Sequence, residues 1–241
     1  MYERLCRDWR YVIVGRGTAT ATKHMTINPF HIAIFCKAPI AGSVKTRLIP
    51  AFGAEGAKNI YVQLVERTLA TVRDTCHARN ASASLWVADD VANETLQQWS
   101  NDFNFPTHLQ VGADLGARML HCLQTMHAKH ERVLLIGTDC PAFTREHLLR
   151  AAKALTAPCA WVFTPAEDGG YVLVGSNAPC AEPLTDIAWS SSDVMTQTRA
   201  ALSAMQLKWA EMDTLWDVDV APDVVRAERN NFLLKTSLNM S

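Results

Sequence analysis

The segment KAPIAGSVKTR, residues 37–47, concentrates groups that are suited to binding phosphate. Three of its residues are cations, and a glycine and a serine let backbone N–H groups approach a ligand closely. No acidic residue lies between Asp8 and Glu55, so nothing nearby in sequence neutralises the cations. The segment therefore predicts a polyphosphate-binding loop, and the alternative is a solvated basic loop at the end of a sheet. The residues concerned are Lys37, Gly42, Ser43, Lys45 and Arg47.

The same segment is similar to a P-loop at its end, where Val44-Lys45-Thr46 matches part of GxxxxGK[ST]. However, no glycine immediately precedes the lysine, and the first glycine of the motif is missing. Pro50 and Gly53 also intervene before the next predicted helix. The sequence therefore excludes a P-loop, and with it the ATPase interpretation.

Carboxylates at predicted strand ends form a second group. Asp139 follows the most apolar strand, in LLIGTDCP, where it could ligate Mg²⁺ or Mn²⁺ bridging a diphosphate. The alternative is that it caps the helix that opens near Thr144. Asp217 and Asp219 would share a face in a strand or chelate in a loop, so a second cation ligand and a solvated turn both stay open.

Two further acidic residues lie in turns. In PAEDGGY, turn chemistry explains an aspartate, Asp168, before the glycines. It does not require Glu167 before that aspartate or Tyr171 directly after the glycines. Asp168 is therefore a candidate for binding the acceptor or for lying close to the metal. Asp114, in QVGADLGARM, stands at a helix start, where a cap is the default explanation.

Other catalytic patterns find no support in the sequence. His121, His127 and His130 fall on one predicted helix without a zinc spacing, which favours solvated helix positions. There is no GxSxG elbow and no recognisable cysteine nucleophile motif. Hydrolysis by acyl transfer is therefore not indicated.

The elements that must position these residues follow an alternating order. From His31 onward, short apolar runs alternate with longer helical patterns, which is typical of a parallel sheet with helices on its faces. The turn EDGG predicts one antiparallel pair, so we expect a mixed sheet. Strands are predicted at residues 31–37, 83–88, 107–111, 132–139, 159–166, 170–176 and 207–213. Helices are predicted near residues 54–77, 92–100, 114–130, 144–155 and 191–205.

Composition limits the class of protein. The chain has 241 residues, of which 49% are hydrophobic and 20% charged, as in an ordinary globular protein. A formal net charge of -1 gives no broad basic surface for nucleic acid. Seven cysteines without a CxxC pair indicate free thiols in a reducing compartment, so we expect a cytoplasmic protein. No apolar run is long enough to span a bilayer.

The first residues lack any periodic pattern. Met25 stands six residues before the first predicted strand. We expect Met25 to be the natural start, with residues 1–24 a loose, disordered extension or a start-site artefact. Residues 25–241 then form one domain, since no repeat or Pro/Ser-rich linker interrupts them.

Six segments occur together in a distinctive order and spacing. They are FCKAPIAGSVKTRL, QVGADLGARM, LLIGTDCP, PAEDGGYVLVG, DIAWSSSDV and DVDVAPD. In these segments the chain resembles the DUF2064 family of GT-A-like transferases, the transferase 1, rSAM/selenodomain-associated group. That family is distantly similar to the guanylyltransferase of coenzyme F420 synthesis and to molybdenum-cofactor nucleotidyltransferases. The resemblance covers roughly residues 30–223.

The resemblance implies a GT-A-like nucleotide-diphospho-sugar transferase fold in which the basic loop binds the donor phosphates. It places Asp139 on a divalent cation, Mg²⁺ or Mn²⁺, with Asp168 and the pair Asp217 and Asp219 across the same cleft. Ser191 replaces the family's usual Thr after Trp-Ser, and Val220-Ala221 replaces its Thr-Pro. The residues expected to line a nucleotide or acceptor pocket are Asp114, Gly169, Gly170, Tyr171, Trp189 and Ser190.

The function expected from these features is metal-dependent transfer of a glycosyl group from a nucleotide sugar to a small acceptor. In such a reaction the cation and the basic loop would neutralise the leaving diphosphate, and Asp168 would orient the acceptor hydroxyl or take its proton. Nucleotidyl transfer, which releases pyrophosphate, is the first alternative. A regulatory module that binds a nucleotide without turnover is the second.

Overall fold

A computed structural model of the protein describes residues 30–155, 160–177 and 182–235. Within these residues the chain forms seven strands and six α-helices. The strands are β1 His31–Cys36, β2 Ser82–Val87, β3 Thr107–Leu109, β4 Val133–Ile136, β5 Trp161–Pro165, β6 Tyr171–Ser176 and β7 Trp209–Glu211. The helices are α1 Ile49–Arg79, α2 Glu94–Phe103, α3 Leu115–His127, α4 Arg145–Ala154, α5 Val194–Ala204 and α6 Ala221–Arg229. Short 3-10 helices span Thr46–Leu48 and Glu182–Leu184.

All seven strands belong to one sheet in the order β3-β2-β1-β4-β6-β5-β7. β6 runs antiparallel to its neighbours β4 and β5, and the other pairs are parallel. This confirms the predicted mixed, mostly parallel sheet and the antiparallel hairpin at EDGG. Ile34 of β1 is in register with Ile136 of β4, so the loops that follow these two strands emerge side by side at the carboxyl edge.

The apolar residues of the strands bury both faces of the sheet. In β1, Ile32 and Ile34 pack toward α1 and α4, whereas Ala33 points into the cluster that contains α3 and α5. This alternation follows from the two-residue repeat of a strand. Fully burying one such aliphatic side chain contributes roughly 1.5–3 kcal/mol, so the two clusters hold the helices against the sheet.

A third apolar cluster joins the start of α1 to α6. Leu48 and Leu64 pack there with Trp216 and Val218. Val218 is fully buried and belongs to the stretch between β7 and α6. The cluster therefore holds residues 216–219 against the end of the basic loop.

The start of α1 departs from regular helix geometry. Gly53 has φ 70° and ψ 169°, which interrupts the helix near its first turn. Only glycine adopts this region of the backbone map without strain. The basic loop therefore leads into a 3-10 turn and a broken first turn, rather than into the uninterrupted helix start of a P-loop.

Differences from the sequence predictions are few. α6 was not predicted, because DVDVAPD was interpreted only as a turn or a ligand pair; Asp223 in it accepts hydrogen bonds from the backbone N–H groups of Asp219 and Val220. The solvated helix positions expected for His127 and His130 were wrong. His127 is half-buried and bonds Ser176 Oγ at 3.0 Å, and His130 lies beyond the end of α3.

Several predictions concern residues outside the described ranges. Residues 1–24 and Met25 are among them, as are Cys6, Cys159 and Cys180. The thiols of the described cysteines are free, as expected; these are Cys36, Cys76, Cys122 and Cys140. Across the described residues, no helix combines the length and apolar character needed to cross a membrane.

Candidate active site

A cleft of about 550 Å³ opens at the carboxyl edge of the sheet. The basic loop after β1 lines it on one side, and the stretch between β7 and α6 contributes Asp217 and Asp219. Phe35, Leu135 and Leu173 line it from the sheet. Its volume is typical of sites that bind small molecules or cofactors, and its place is where open α/β sheets bind ligands.

Lys45 joins the two charged sides of the cleft. Its Nζ lies 3.0 Å from Asp139 Oδ2 and 3.1 Å from Asp219 Oδ1, and only 6% of its side chain is exposed. Burial lowers the pKa of Lys45, but the two carboxylates more than offset this, so the pKa is raised and the amine is charged. Its backbone is left-handed, with φ 47° and ψ 44°, which costs a residue with a Cβ roughly 1–2 kcal/mol.

Arg47 makes a more exposed contact with one of these carboxylates, Asp219. Its Nη1 lies 3.1 Å from Asp219 Oδ2, and 72% of its side chain is exposed. Exposed ion pairs contribute little to stability, typically about 0–1 kcal/mol. The cations that no neighbour in sequence neutralises are therefore neutralised in the fold, at Lys45 and Arg47, by acids from distant parts of the chain.

The carboxylates converge because two chain segments run side by side. The backbone N–H of Val218 donates to the carbonyl oxygen of Asp139 at 2.9 Å. Asp217 and Asp219 both line the cleft, while Val218 between them points into the core. Burial, followed by the charges of Asp219 and Asp168, raises the pKa of Asp217 to about 6. Asp139, Asp217 and Asp219 thus line one cleft together with Lys45 and Arg47, and Asp168 is close enough to Asp217 to affect its pKa.

The donor set fits a hard divalent cation. Asp139 Oδ1 is shielded from solvent and has no hydrogen-bond partner among the described residues. A buried carboxylate oxygen without a partner is costly, and Mg²⁺ or Mn²⁺ would satisfy it. As they stand, no three His, Cys, Asp or Glu side chains of the described part are grouped to hold a metal, and Lys45 bridges Asp139 and Asp219. The metal role of Asp139, Asp217 and Asp219 stays a prediction.

The turn between β5 and β6 lies beside the cleft rather than in it. Asp168 Oδ1 accepts a hydrogen bond from the backbone N–H of Gly170 at 2.8 Å. Gly169 has φ 91°, and a Cβ there would lie 2.0 Å from the carbonyl oxygen of Ser192. The turn is therefore packed tightly against the loop that precedes α5.

That loop also carries Trp189, which packs against the start of α3. A Cβ on Gly116 would lie 2.6 Å from Trp189 Nε1, so only glycine leaves room for the indole. Trp189 also meets the ring of Tyr171 edge-on, with centroids 6.2 Å apart, and Tyr171 lines the cleft. Asp114 accepts a hydrogen bond from the Ala117 N–H at 2.8 Å, which is the helix cap that was its default explanation.

The predicted site residues thus divide into two groups. Those that line the cleft are Lys37, Ser43, Lys45, Arg47, Asp139, Tyr171, Asp217 and Asp219. Those that lie outside its lining are Gly42, Asp114, Asp168, Gly169, Gly170, Trp189 and Ser190. The functional role of each residue stays a prediction.

Sequence reasoning missed Arg118, a half-buried cation that lines the cleft. Its Nε donates to the carbonyl oxygen of Gly112 at 3.3 Å, and none of the ion pairs in the described ranges involves it. Leu115, Arg118 and Met119 all line the cleft, at the i, i+3, i+4 spacing of one helix face. That spacing was the signal that could have identified Arg118.

The cysteines in the cleft are not nucleophiles. Cys36 and Cys140 line it and are almost fully buried. Burial is the main cause that raises the pKa of each thiol to about 12. Since the thiolate is the reactive form, both thiols are inert at neutral pH.

The open seven-stranded sheet with its cleft at the carboxyl edge defines a nucleotide-diphospho-sugar transferase type of fold. The chain belongs to the DUF2064 family, whose members are described as uncharacterized proteins conserved in bacteria; the family's profile matches residues 71–191. This match lies between the basic loop and the stretch with Asp217 and Asp219. No curated protein matches the chain.

Solved structures of transferases share the fold. A Desulfovibrio desulfuricans G20 protein, provisionally named a nucleotide-diphospho-sugar transferase, is 28% identical with a TM-score of 0.74, over 84% of this chain and 87% of that one. The 4-diphosphocytidyl-2C-methyl-D-erythritol synthase of Anaerococcus prevotii DSM 20548 is 12% identical with a TM-score of 0.58, over 87% of this chain and 99% of that one. Glucosyl-3-phosphoglycerate synthase of Mycobacterium tuberculosis is 7% identical with a TM-score of 0.50, over 84% of this chain and 76% of that one. The last two similarities show the fold alone.

Proposed function

We propose that this protein is a metal-dependent transferase that moves a glycosyl group from a nucleotide sugar to a small acceptor. The observation that carries the proposal is the meeting of the basic loop, residues 37–47, with Asp139, Asp217 and Asp219 in one cleft. Such a cleft suits a diphosphate bridged by a cation. The similarity to the Desulfovibrio protein, over most of both chains, supports a nucleotide sugar as the donor.

The donor end of the cleft would act through charge. Lys37, Lys45 and Arg47 would neutralise the negative charge that develops on the leaving diphosphate, which is the largest electrostatic demand of such a reaction. Asp139, with Asp217 and Asp219, would hold Mg²⁺ or Mn²⁺. When bound, the metal would supply Lewis-acid stabilisation of the same leaving group.

The acceptor end would lie toward the β5–β6 turn. The N–H of Met195, in the first turn of α5, donates to the carbonyl oxygen of Gly169 at 2.9 Å. Gly169 also packs against Ser192 in the loop that carries Trp189 and Ser190, so the turn and this loop form one wall beside the cleft. Asp168 stands on that wall, close enough to Asp217 to affect its pKa. There it would orient the acceptor hydroxyl or accept its proton.

The decisive experiment identifies the leaving group. The purified protein is incubated with Mg²⁺ or Mn²⁺, a panel of nucleotides and sugar nucleotides, and a set of small hydroxylated acceptors. Release of a nucleoside diphosphate supports glycosyl transfer, and release of pyrophosphate would instead establish nucleotidyl transfer. We expect Asp139→Asn, which keeps the side-chain volume, to reduce turnover by about 100-fold or more.

The same panel tests the non-catalytic alternative. A regulatory module would bind a nucleotide tightly, give no product with any acceptor, and bind equally well after Asp139→Ala. That combination of results would contradict a transferase. Lys129→Met is a suitable control, because Lys129 is exposed and does not line the cleft.

A further inference from the structure

We propose that Lys45 is an internal competitor of the divalent cation. In the metal-free protein its ammonium group neutralises Asp139 and Asp219; metal binding would displace it from them and make it available to the donor diphosphate. The inference deepens the proposed function, because it concerns the same cleft. Its test requires only metal binding and lysine chemistry, so it can fail or succeed independently of turnover.

The contacts of Lys45 are those of a cation already bound by carboxylates, rather than those of a lysine that is free to bind phosphate. Its Nζ contacts Asp139 Oδ2 and Asp219 Oδ1 at 3.0 and 3.1 Å, one oxygen from each of two predicted metal ligands. With 6% of its side chain exposed, the ammonium group replaces its lost hydration with these two carboxylates. A metal ion and this ammonium group would repel each other strongly if both contacted the same oxygens.

Asp139 marks where the competition would occur. One of its oxygens contacts Lys45, whereas Oδ1 is shielded from solvent and has no hydrogen-bond partner among the described residues. Lys45 therefore provides a partner for only one of the two oxygens of this carboxylate. A divalent cation, with more charge and a larger coordination number, would satisfy more of it.

The backbone around Lys45 is suited to releasing it. The residue has left-handed dihedral angles, φ 47° and ψ 44°, which are unfavourable for a lysine. Thr46 and Arg47 after it are exposed, as are Gly42 and Ser43 before it, whereas Val44 is buried and anchors the loop. A side chain leaving the two carboxylates stays within the cleft, because Lys45 and the residues on either side of it, Val44 and Thr46, all line the cleft.

The first test measures Mn²⁺ affinity without nucleotide, by electron paramagnetic resonance of the free ion. Lys45→Met keeps an unbranched side chain that is one atom shorter and removes the charge, leaving two neighbouring carboxylates without their shared cation. We expect Mn²⁺ to bind this variant about tenfold more tightly than it binds the wild type. Arg47→Met is the matched control: it removes an exposed cation that contacts Asp219 only, and we expect a change of less than about threefold.

The second test uses the unaltered protein. Lysines are reductively methylated in the presence of EDTA or saturating Mg²⁺, and the rate at each site is followed by mass spectrometry. We expect Mg²⁺ to accelerate methylation of Lys45 severalfold, because its amine leaves a buried ion pair. Lys129, which is exposed outside the cleft, serves as the internal reference and should keep its rate.

Three outcomes would overturn the inference. They are equal or weaker Mn²⁺ affinity in folded Lys45→Met, no binding of Mn²⁺ by either protein, and a Lys45 methylation rate that does not rise with Mg²⁺. Circular dichroism confirms that the variant is folded. If it is not, the methylation experiment on the wild type decides alone.

Discussion

At the scale of single residues, the cations of the cleft are of two kinds. Lys45 and Arg47 contact carboxylates, whereas Lys37 and Arg118 line the same cleft and take part in none of the ion pairs of the described part of the chain. A half-buried guanidinium group without a carboxylate partner is stabilised more by binding an anionic ligand than a guanidinium group that is already paired. Arg118 therefore has a charge that an anionic ligand in the cleft could pair.

We expect Arg118→Met to weaken the binding of nucleoside diphosphates by about tenfold, which corresponds to the loss of one charge-assisted hydrogen bond. Isothermal titration calorimetry with the tightest-binding nucleotide of a panel measures the effect. Arg79→Met is the control, because Arg79 is exposed at the end of α1 and does not line the cleft. Equal affinities for the wild type and Arg118→Met would show that Arg118 does not contact the ligand.

Residue types in the sequence identified the cations and the carboxylates, but not their partners. Lys45 and Asp219 are 174 positions apart, and no local pattern encodes a contact over that distance. In QVGADLGARM the helix cap Asp114 is the conspicuous residue, and nothing in its immediate neighbourhood distinguishes Arg118 from an exposed helix position. Applying the helical spacing from Leu115 onward would have placed Arg118 on the face that lines the cleft.

At the scale of elements, the β5–β6 turn depends on close packing against the loop before α5. Gly169 has φ 91°, and a Cβ there would lie 2.0 Å from the carbonyl oxygen of Ser192. Gly42 offers a matched comparison, because it has φ 84° but an added Cβ would meet nothing within 4 Å. The two glycines therefore separate the cost of backbone strain from the cost of a steric clash.

We expect Gly169→Ala to lower the free energy of unfolding by about 3 kcal/mol, since strain and overpacking both act. Gly42→Ala should cost only about 1 kcal/mol, from the backbone alone. Urea denaturation monitored by tryptophan fluorescence gives both values. Similar losses in the two variants would mean that the turn and the loop can separate at little cost.

Most helices and strands were predictable because each buries an apolar face, and the spacing of apolar residues along the sequence differs between a helix and a strand. β1 and β4 are short apolar runs, and the Asp-Gly turn fixed the hairpin of β5 and β6. α6 was not predicted because its nine residues directly follow Asp217 and Asp219, and the whole segment was interpreted as a turn or a ligand pair. Asp223, which bonds the N–H groups of Asp219 and Val220, was the available signal of a helix start.

At the scale of the whole molecule, the edge of the sheet opposite the cleft holds a buried histidine. His31 is 4% exposed, and its ring nitrogens lie 2.8 Å from the hydroxyl groups of Ser82 and Ser84. Its ring stacks on His130 at 4.6 Å. Burial, and then the charges of His130, His108 and Lys129, lower its pKa to about 3. The folded protein therefore holds His31 neutral.

This arrangement predicts acid sensitivity that is independent of the cleft. The unfolded chain takes up a proton on His31 below about pH 6.5, whereas the folded protein does so only near pH 3, so stability falls as the pH decreases between these values. From pH 7.5 to pH 5 we expect the wild type to lose about 2 kcal/mol more than His31→Gln.

Urea denaturation at several pH values measures that difference. His77→Gln is the control, since His77 is exposed on α1, and its pH dependence should match that of the wild type. A pH dependence in His31→Gln equal to that of the wild type would contradict the prediction.

The position of the cleft was more predictable from the sequence than the packing of the β5–β6 turn against the loop before α5. Lys37 and Asp139 follow the carboxyl ends of the neighbouring strands β1 and β4, so the topology alone brings them together. Asp168 and Trp189 belong to turns whose positions depend on packing between distant segments. Such packing is decided by side-chain fit across the whole domain rather than by any local pattern.

The contact between Lys45 and Asp219 also has a consequence for how the protein is made. The loop that holds Lys45 leaves the ribosome early, whereas Asp219 follows after all seven strands of the sheet have been synthesised. Contacts with such large sequence separation form late in folding, because closing a long loop costs entropy. During synthesis, therefore, Lys45 and Asp139 are present before the second carboxylate partner, Asp219, and the charged cleft is completed only after translation of β7.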